Sequence, residues 1–187
     1  MKKFAIFGSG SGSNAENIYE YFLNSKSVKI SCICTNNRDA GIVKRAKKLD
    51  LPIIFLSKTD LNTFYNLQKS LKYYEIDYII LAGFLLKIPS LMVDYYNKKI
   101  INIHPSLLPK YGGKGMYGRK IHETILAEKE YESGITIHFV NQNYDEGEVI
   151  LQKKCSLDTY ETVKSLEKKI HNLEFMYFPK AIEKILS

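Results

Sequence analysis

The chain has 187 residues, 45% of them hydrophobic and 25% charged, and a formal net charge of +7. This balance excludes a disordered or low-complexity chain, and the length supports one domain with a real core. No apolar run approaches the ~20 residues that span a bilayer, and the N-terminus enters a short strand without a signal-peptide core, so a soluble cytoplasmic protein is expected.

Lys3 to Phe7 is an apolar run that stops at Gly8 and predicts a first, central strand. Gly8-Ser9-Gly10-Ser11-Gly12-Ser13-Asn14 follows, then a helical pattern through Phe22. Strand, glycine-rich turn and helix start make a phosphate cradle, because glycine allows close backbone approach and a helix N-terminus offers free N–H groups. Two other readings stay open. Gly10-x-Gly12-x-x-Ala15 fits a dinucleotide fingerprint, although the second strand ends at neutral Thr35-Asn36-Asn37 where an acid is expected. A plain turn capped by Ser13 or Asn14 is the third reading.

Val28 to Thr35 predicts the second strand, and it holds Cys32 and Cys34. Their Cys-x-Cys spacing is neither a redox nor a zinc motif, so these and Cys155 read as free thiols. A helix is expected over 39–49, a third strand over 52–56, and a helix capped by Thr59-Asp60 running to Tyr74. Asp77 to Phe84 is nearly all apolar, as a strand buried on both faces of a parallel sheet is. Leu85, Leu86, Lys87 and Ile88 then form either a ligand-lining turn or a simple strand-to-helix connection. Ser90 to Asn97 predicts a short helix.

Lys99 to His104 predicts the next strand, which stops at Pro105. Asn102 and His104 are two apart, so they share a face, with Ile101 and Ile103 on the other. Pro105 has no ladder N–H and pushes His104 into extended geometry. An amide and an imidazole therefore stand side by side at a strand's carboxyl end, where open α/β sheets bind ligands. The 111–118 loop carries four glycines and is either a pocket wall or lid, or a plain connector. A helix over 119–128 contains His122. The 134–140 and 149–153 segments predict an antiparallel hairpin, with Asp145 in the turn between them. A long terminal helix starts at Thr159, with Pro179 kinking or splitting it. The order indicates an α/β fold: a doubly wound, mostly parallel sheet with helices on both faces and a C-terminal antiparallel hairpin extension.

Asn102-Ile103-His104-Pro105-Ser106-Leu107-Leu108-Pro109 resembles the signature of the folate-dependent formyltransferases. Ile80-Leu81-Ala82-Gly83-Phe84, the Gly12-Ser13-Asn14 triplet and Asp145-Glu146-Gly147 resemble the same family, in family order over nearly the whole chain. The resemblance implies a single formyltransferase domain over 1–187, with a phosphate-binding half at about 1–98 and a folate-binding and catalytic half at about 99–187. It implies Asn102, His104 and Asp145 as catalytic residues. It implies Gly12, Ser13, Asn14 and Glu174 on a ribonucleotide, and Leu85, Leu86, Lys87, Ile88 and Asn102 on folate. It also implies that His122 lies near the substrates. Many relatives carry an arginine where Leu86 stands; a main-chain contact survives that change and a side-chain contact does not.

The implied reaction moves the formyl group of 10-formyltetrahydrofolate, a co-substrate, to the amine of 5'-phosphoribosylglycinamide in purine synthesis. It needs no metal and no covalent enzyme intermediate. Asn102 and His104 would donate to the oxyanion, and a carboxylate beside an imidazole favours its charged, stronger-donor form. The expected partners are small molecules, which the positive charge helps to attract. Scattered Lys and Arg without interleaved aromatics argue against nucleic acid, and nothing points to a membrane. A monomer or homodimer is expected. Two alternatives remain: a related formyltransferase acting on another amine, such as a sugar nucleotide, and a nucleotide-binding module without catalysis.

Overall fold

A computed structural model describes residues 1–187. Seven strands form one sheet: β1 Lys2–Phe7, β2 Val28–Thr35, β3 Ile53–Phe55, β4 Tyr78–Leu81, β5 Ile100–His104, β6 Glu132–Phe139 and β7 Val149–Ser156. Their spatial order is β3-β2-β1-β4-β5-β6-β7. Strands β1 to β5 run parallel, while β6 is antiparallel to β5 and β7 to β6. Seven helices accompany them: α1 Ser13–Phe22, α2 Gly41–Lys48, α3 Lys58–Thr63, α4 Tyr65–Tyr73, α5 Ser90–Tyr95, α6 Arg119–Ala127 and α7 Val163–Leu186. The doubly wound sheet with an antiparallel extension is the fold expected from the sequence.

Strand alternation splits the core into two layers. In β1, Phe4 and Ile6 enter one apolar cluster with residues of α1, α2, α6 and α7. Ala5 and Phe7 enter the other, with residues of α3, α4 and α5. In β5, Ile101 and Ile103 join the first layer and Ile100 the second, so Asn102 and His104 share the face opposite Ile101 and Ile103. Burying each large side chain of this kind contributes roughly 1.5–3 kcal/mol.

Several local expectations are corrected. The helix expected from Thr59 to Tyr74 is two helices. Ser57, not Thr59-Asp60, caps α3 through a reciprocal box with Asp60. Phe64 then turns left-handed at φ 58, burying its ring against Tyr95 and Tyr96. The terminal helix starts at Val163, capped by Thr162 instead of Thr159. It runs unbroken through Pro179, although proline cannot donate to the carbonyl of Phe175. Asn17 on α1 donates its amide to that carbonyl at 3.0 Å, so the acceptor freed inside the helix is satisfied from outside it. β4 ends at Leu81, since Gly83 (φ 72) peels the chain away.

The strand order reverses between β1 and β4, and the chain leaves both at their carboxyl ends. That topological switch point is where such sheets hold ligands. Ser9 ties the loops there together. Its N–H donates to Gly83, its hydroxyl donates to Asn36 at 2.6 Å, and the same oxygen accepts from the N–H of Leu85 at 3.1 Å.

Candidate active site

One cavity of about 1090 Å³ lies over this switch point. Every site residue expected from the sequence lines it: Gly12, Ser13 and Asn14, Leu85 to Ile88, Asn102, His104, Asp145 and Glu174. Its volume lies just above the roughly 300–1,000 Å³ range of single-ligand sites, ample for two small molecules.

At one end is the loop after β1. Gly12 holds φ 78 at the cap position of α1 and no side chain caps the helix, so neither Ser13 nor Asn14 is the N-cap. A methyl at Gly12 would lie 2.6 Å from Cα of Ile42, so only glycine fits between the loop and α2. The N–H groups of Gly12, Asn14 and Ala15 make no hydrogen bond within the chain. They leave a concave donor array with the positive end of a helix dipole behind it. The Asn14 amide is turned away from any cap: it donates to Glu174 on α7 at 2.8 Å, and its buried Oδ1 has no partner. Glu174 also accepts from Nδ1 of His171 at 3.0 Å, and that hydrogen bond raises the pKa of His171.

The wall beyond is the segment after β4. The N–H of Leu85 is taken by Ser9, whereas the N–H groups of Leu86, Lys87 and Ile88 have no partner in the chain. Ile88 is buried, and the Lys87 ammonium lies 5.4 Å from the ring centroid of Tyr144. The side chain at 86 is leucine, so polar contact in this stretch falls to the main chain and Lys87.

At the far end, β5 and β6 pair Asn102 with His138 and His104 with Thr136. Nδ1 of His138 donates to the carbonyl of Phe139 at 2.9 Å, which leaves Nε2 to accept from the Asn102 amide at 3.1 Å. Burial lowers the pKa of His138, against the pull of that carbonyl and of Asp145. Nε2 of His104 lies 2.8 Å from the carbonyl of Tyr111, so it carries the hydrogen. Nδ1 of His104 then faces Oδ1 of Asp145 at 3.6 Å, and Nε2 of His138 lies 3.8 Å from the same oxygen. Oδ2 of Asp145 accepts the N–H of Gly113 at 2.9 Å. The arrangement presents an oriented amide, an imidazole and a carboxylate, 13% exposed, on one wall. These are the parts for stabilising an oxyanion and moving a proton. No three His, Cys, Asp or Glu side chains gather in the geometry of a metal site.

The chain matches the family described as Formyl transferase over residues 2–182. It belongs to that family. Phosphoribosylglycinamide formyltransferase of Bacillus subtilis (strain 168) is 32% identical, over 100% of this chain and 95% of that protein. The chloroplastic phosphoribosylglycinamide formyltransferase of Arabidopsis thaliana is 35% identical over 97% of this chain. The chain spans less than two thirds of the plant relatives' length, 64% of the Arabidopsis protein and 60% of the Vigna unguiculata one. Among solved structures, glycinamide ribonucleotide transformylase 1 from Geobacillus kaustophilus superposes with a TM-score of 0.91 at 29% identity, covering 100% of both chains. The phosphoribosylglycinamide formyltransferase from Bacillus halodurans gives 0.89 at 30% identity, over 100% of this chain and 96% of that one.

Two residues lining this cavity, His138 and His171, are not among the site residues expected from the sequence. His138 is the partner of Asn102, but only the β5–β6 register reveals it. His171 reaches the Asn14–Glu174 pair from one helical turn before Glu174, a spacing that could have flagged it. His122, which the resemblance puts near the substrates, is only 5% exposed and lines the cavity, with Nδ1 unpartnered and its pKa lowered by burial.

Proposed function

We propose that the chain transfers the formyl group of 10-formyltetrahydrofolate to the amine of 5'-phosphoribosylglycinamide, giving the N-formyl product of purine biosynthesis. The observation that carries this reading is one cavity with free backbone donors at one end and the Asn102, His104 and Asp145 constellation at the other. The relatives named for this activity support it.

In this reading the free N–H groups of the Gly12-Ser13-Asn14 loop hold the phosphate, and Glu174 binds the sugar side of the ribonucleotide. Leu85, Leu86, Lys87 and Ile88 line the folate site with Asn102. Phosphate binding falls to the N-terminal half, about 1–98, and chemistry to the half from about 99. The two substrates meet beside His104. The amine lone pair attacks the formyl carbon, and the C=O pair moves onto oxygen. Asn102 donates to that oxyanion, and so does His104 when Nδ1 takes a second proton beside Asp145; such donors are worth most in a site closed to water. The attacking nitrogen sheds its proton toward Asp145. The oxyanion collapses, the bond to the folate N10 breaks, and N10 takes up the proton that the amine gave to Asp145, which returns the carboxylate to its starting form. Holding both substrates in line supplies much of the rate. No step uses a metal or a bond to the enzyme. The reaction joins small molecules and suits a cytoplasmic enzyme; no helix of the chain is long and apolar enough to cross a membrane.

The test is acceptor choice. Release of deformylated folate, followed by absorbance, should require the ribonucleotide. Release without it would make the chain a hydrolase. Release only with an amino-sugar nucleotide would move the acceptor to that class. Folate binding with no release under any condition would leave a binding module.

A further inference from the structure

The loop after β5 holds both members of the acid–base pair at once, from residues two apart. The carbonyl of Tyr111 accepts Nε2–H of His104, and the N–H of Gly113 donates to Oδ2 of Asp145. Because a carbonyl can only accept, it decides which ring nitrogen of neutral His104 bears the proton. Nδ1 is left bare toward Asp145.

This turn is not a relaxed one. Tyr111 sits at φ 59, in the left-handed region that non-glycine residues rarely adopt. Gly112 beside it has no room for a methyl, which would lie 2.6 Å from Cδ2 of Leu108 and 3.2 Å from Cβ of Asp145. Something has to hold Tyr111 in that conformation. Its phenolic hydrogen is shared between Oε2 of Glu128, at 2.6 Å, and Oε1 of Glu130, at 2.8 Å. Neither glutamate lines the cavity. Burial and the two carboxylates push the phenol's pKa up, so it remains a donor at every working pH. Lys110 braces the same anchor, pairing its ammonium with Glu130 at 2.7 Å, while its carbonyl accepts the Ser106 hydroxyl at 2.7 Å.

We propose that Tyr111 is a positioning residue for formyl transfer. Anchored through its phenol to Glu128 and Glu130, it aims its own carbonyl at Nε2 of His104 and makes Nδ1 the nitrogen that works with Asp145. The proposal rests on the assignment of His104 and Asp145 as the acid–base pair. It is distinct from ordinary scaffolding because its product is a proton location.

The test compares Tyr111→Phe, the double variant Glu128→Gln/Glu130→Gln and His104→Ala with the wild type. Thermal melts establish folding. Initial rates give kcat and KM for both substrates, and long-range ¹H–¹⁵N spectra recorded across pH report which ring nitrogen of His104 bears the proton. The expected result is a kcat lower by roughly ten- to a hundredfold in Tyr111→Phe, with both KM values unchanged and the single Nε2–H pattern of His104 lost. The double glutamine variant should move kcat and tautomer the same way with the ring kept in place. If Tyr111→Phe does not fold, the glutamine variant decides alone. Gly112→Ala, which crowds Asp145 from the other side, should also lower kcat. Wild-type kcat in Tyr111→Phe beside an inactive His104→Ala would overturn the proposal and leave the active site assignment intact. So would a lowered kcat with an unchanged tautomer, since that is mere structural damage. A wild-type rate in His104→Ala would instead overturn the assignment of the pair.

Discussion

The two ends of the cavity are built from different materials. The end after β1 is made of backbone: free N–H groups on a glycine-rich loop, aimed by a helix and wedged against α2 with no room at Gly12. The end at β5 is made of side chains from distant segments, Asn102 and His104 on β5, His138 on β6 and Asp145 in the 140–148 loop. A backbone cradle presents partial charges that do not themselves titrate. A side-chain cluster can move protons, but only if every partner is oriented. The first design suits holding, the second suits reacting.

If that contrast is right, damage to each end has a different kinetic signature. Asn102→Ala should lower kcat by about 10²–10³ with little change in ribonucleotide affinity, because an oxyanion donor is lost and the cradle is untouched. Steady-state kinetics with isothermal titration separate the two quantities. Gly12→Ala should do the reverse. Its methyl meets Ile42 and its φ disfavours any side chain, so ribonucleotide affinity should drop about tenfold, or ~1.4 kcal/mol, with kcat preserved at saturation. Ser9→Ala should be milder. Losing the bond to the N–H of Leu85 costs about 1 kcal/mol, roughly a fivefold rise in KM for the folate.

The smallest effects distinguish the ends by pH. Burial holds His138 below its ordinary value of about 6.5. Below that pH the unfolded chain binds a proton that the folded one refuses, so this histidine's contribution to stability declines as pH falls from 7 toward 5. His171 is shifted the other way by its hydrogen bond to Glu174. Its stabilisation is fully present below about 6.5 and fades as pH rises through its folded value, and solvent around the half-exposed ring keeps it small. Thermal unfolding across pH should therefore show a shallower acid slope for His138→Gln. For His171→Gln it should show a loss at pH 6 that disappears at pH 9. Parallel shifts at all pH values in both variants would erase the contrast.

The same contrast explains what could be read from the sequence. The backbone end was legible because glycines and a helix start are local signals: Gly12-Ser13-Asn14 marks the loop by itself. Asn102 and His104 were legible through strand alternation and Pro105. Their partners were not. His138 meets Asn102 only once the β5–β6 register is known, and the hold of Tyr111 on His104 runs through a main-chain carbonyl that any residue would carry. Local errors share that origin. Phe64 breaks the 58–73 stretch because its ring is buried against Tyr95 and Tyr96, a tertiary cause without a local signature. Helix α7 survives Pro179 because Asn17, on another helix, satisfies the carbonyl of Phe175. The cap of α7 is the exception: Thr159 and Thr162 carry local capping signals of nearly equal strength, and the helix uses Thr162.

The most direct test of the account is formyl transfer by His104→Ala beside the wild type, with ribonucleotide affinity measured on the same samples. Turnover lower by about 10²–10³ with an unchanged affinity is the expected result. Turnover at the wild-type level, or a loss of affinity that matches the loss of rate, would contradict it.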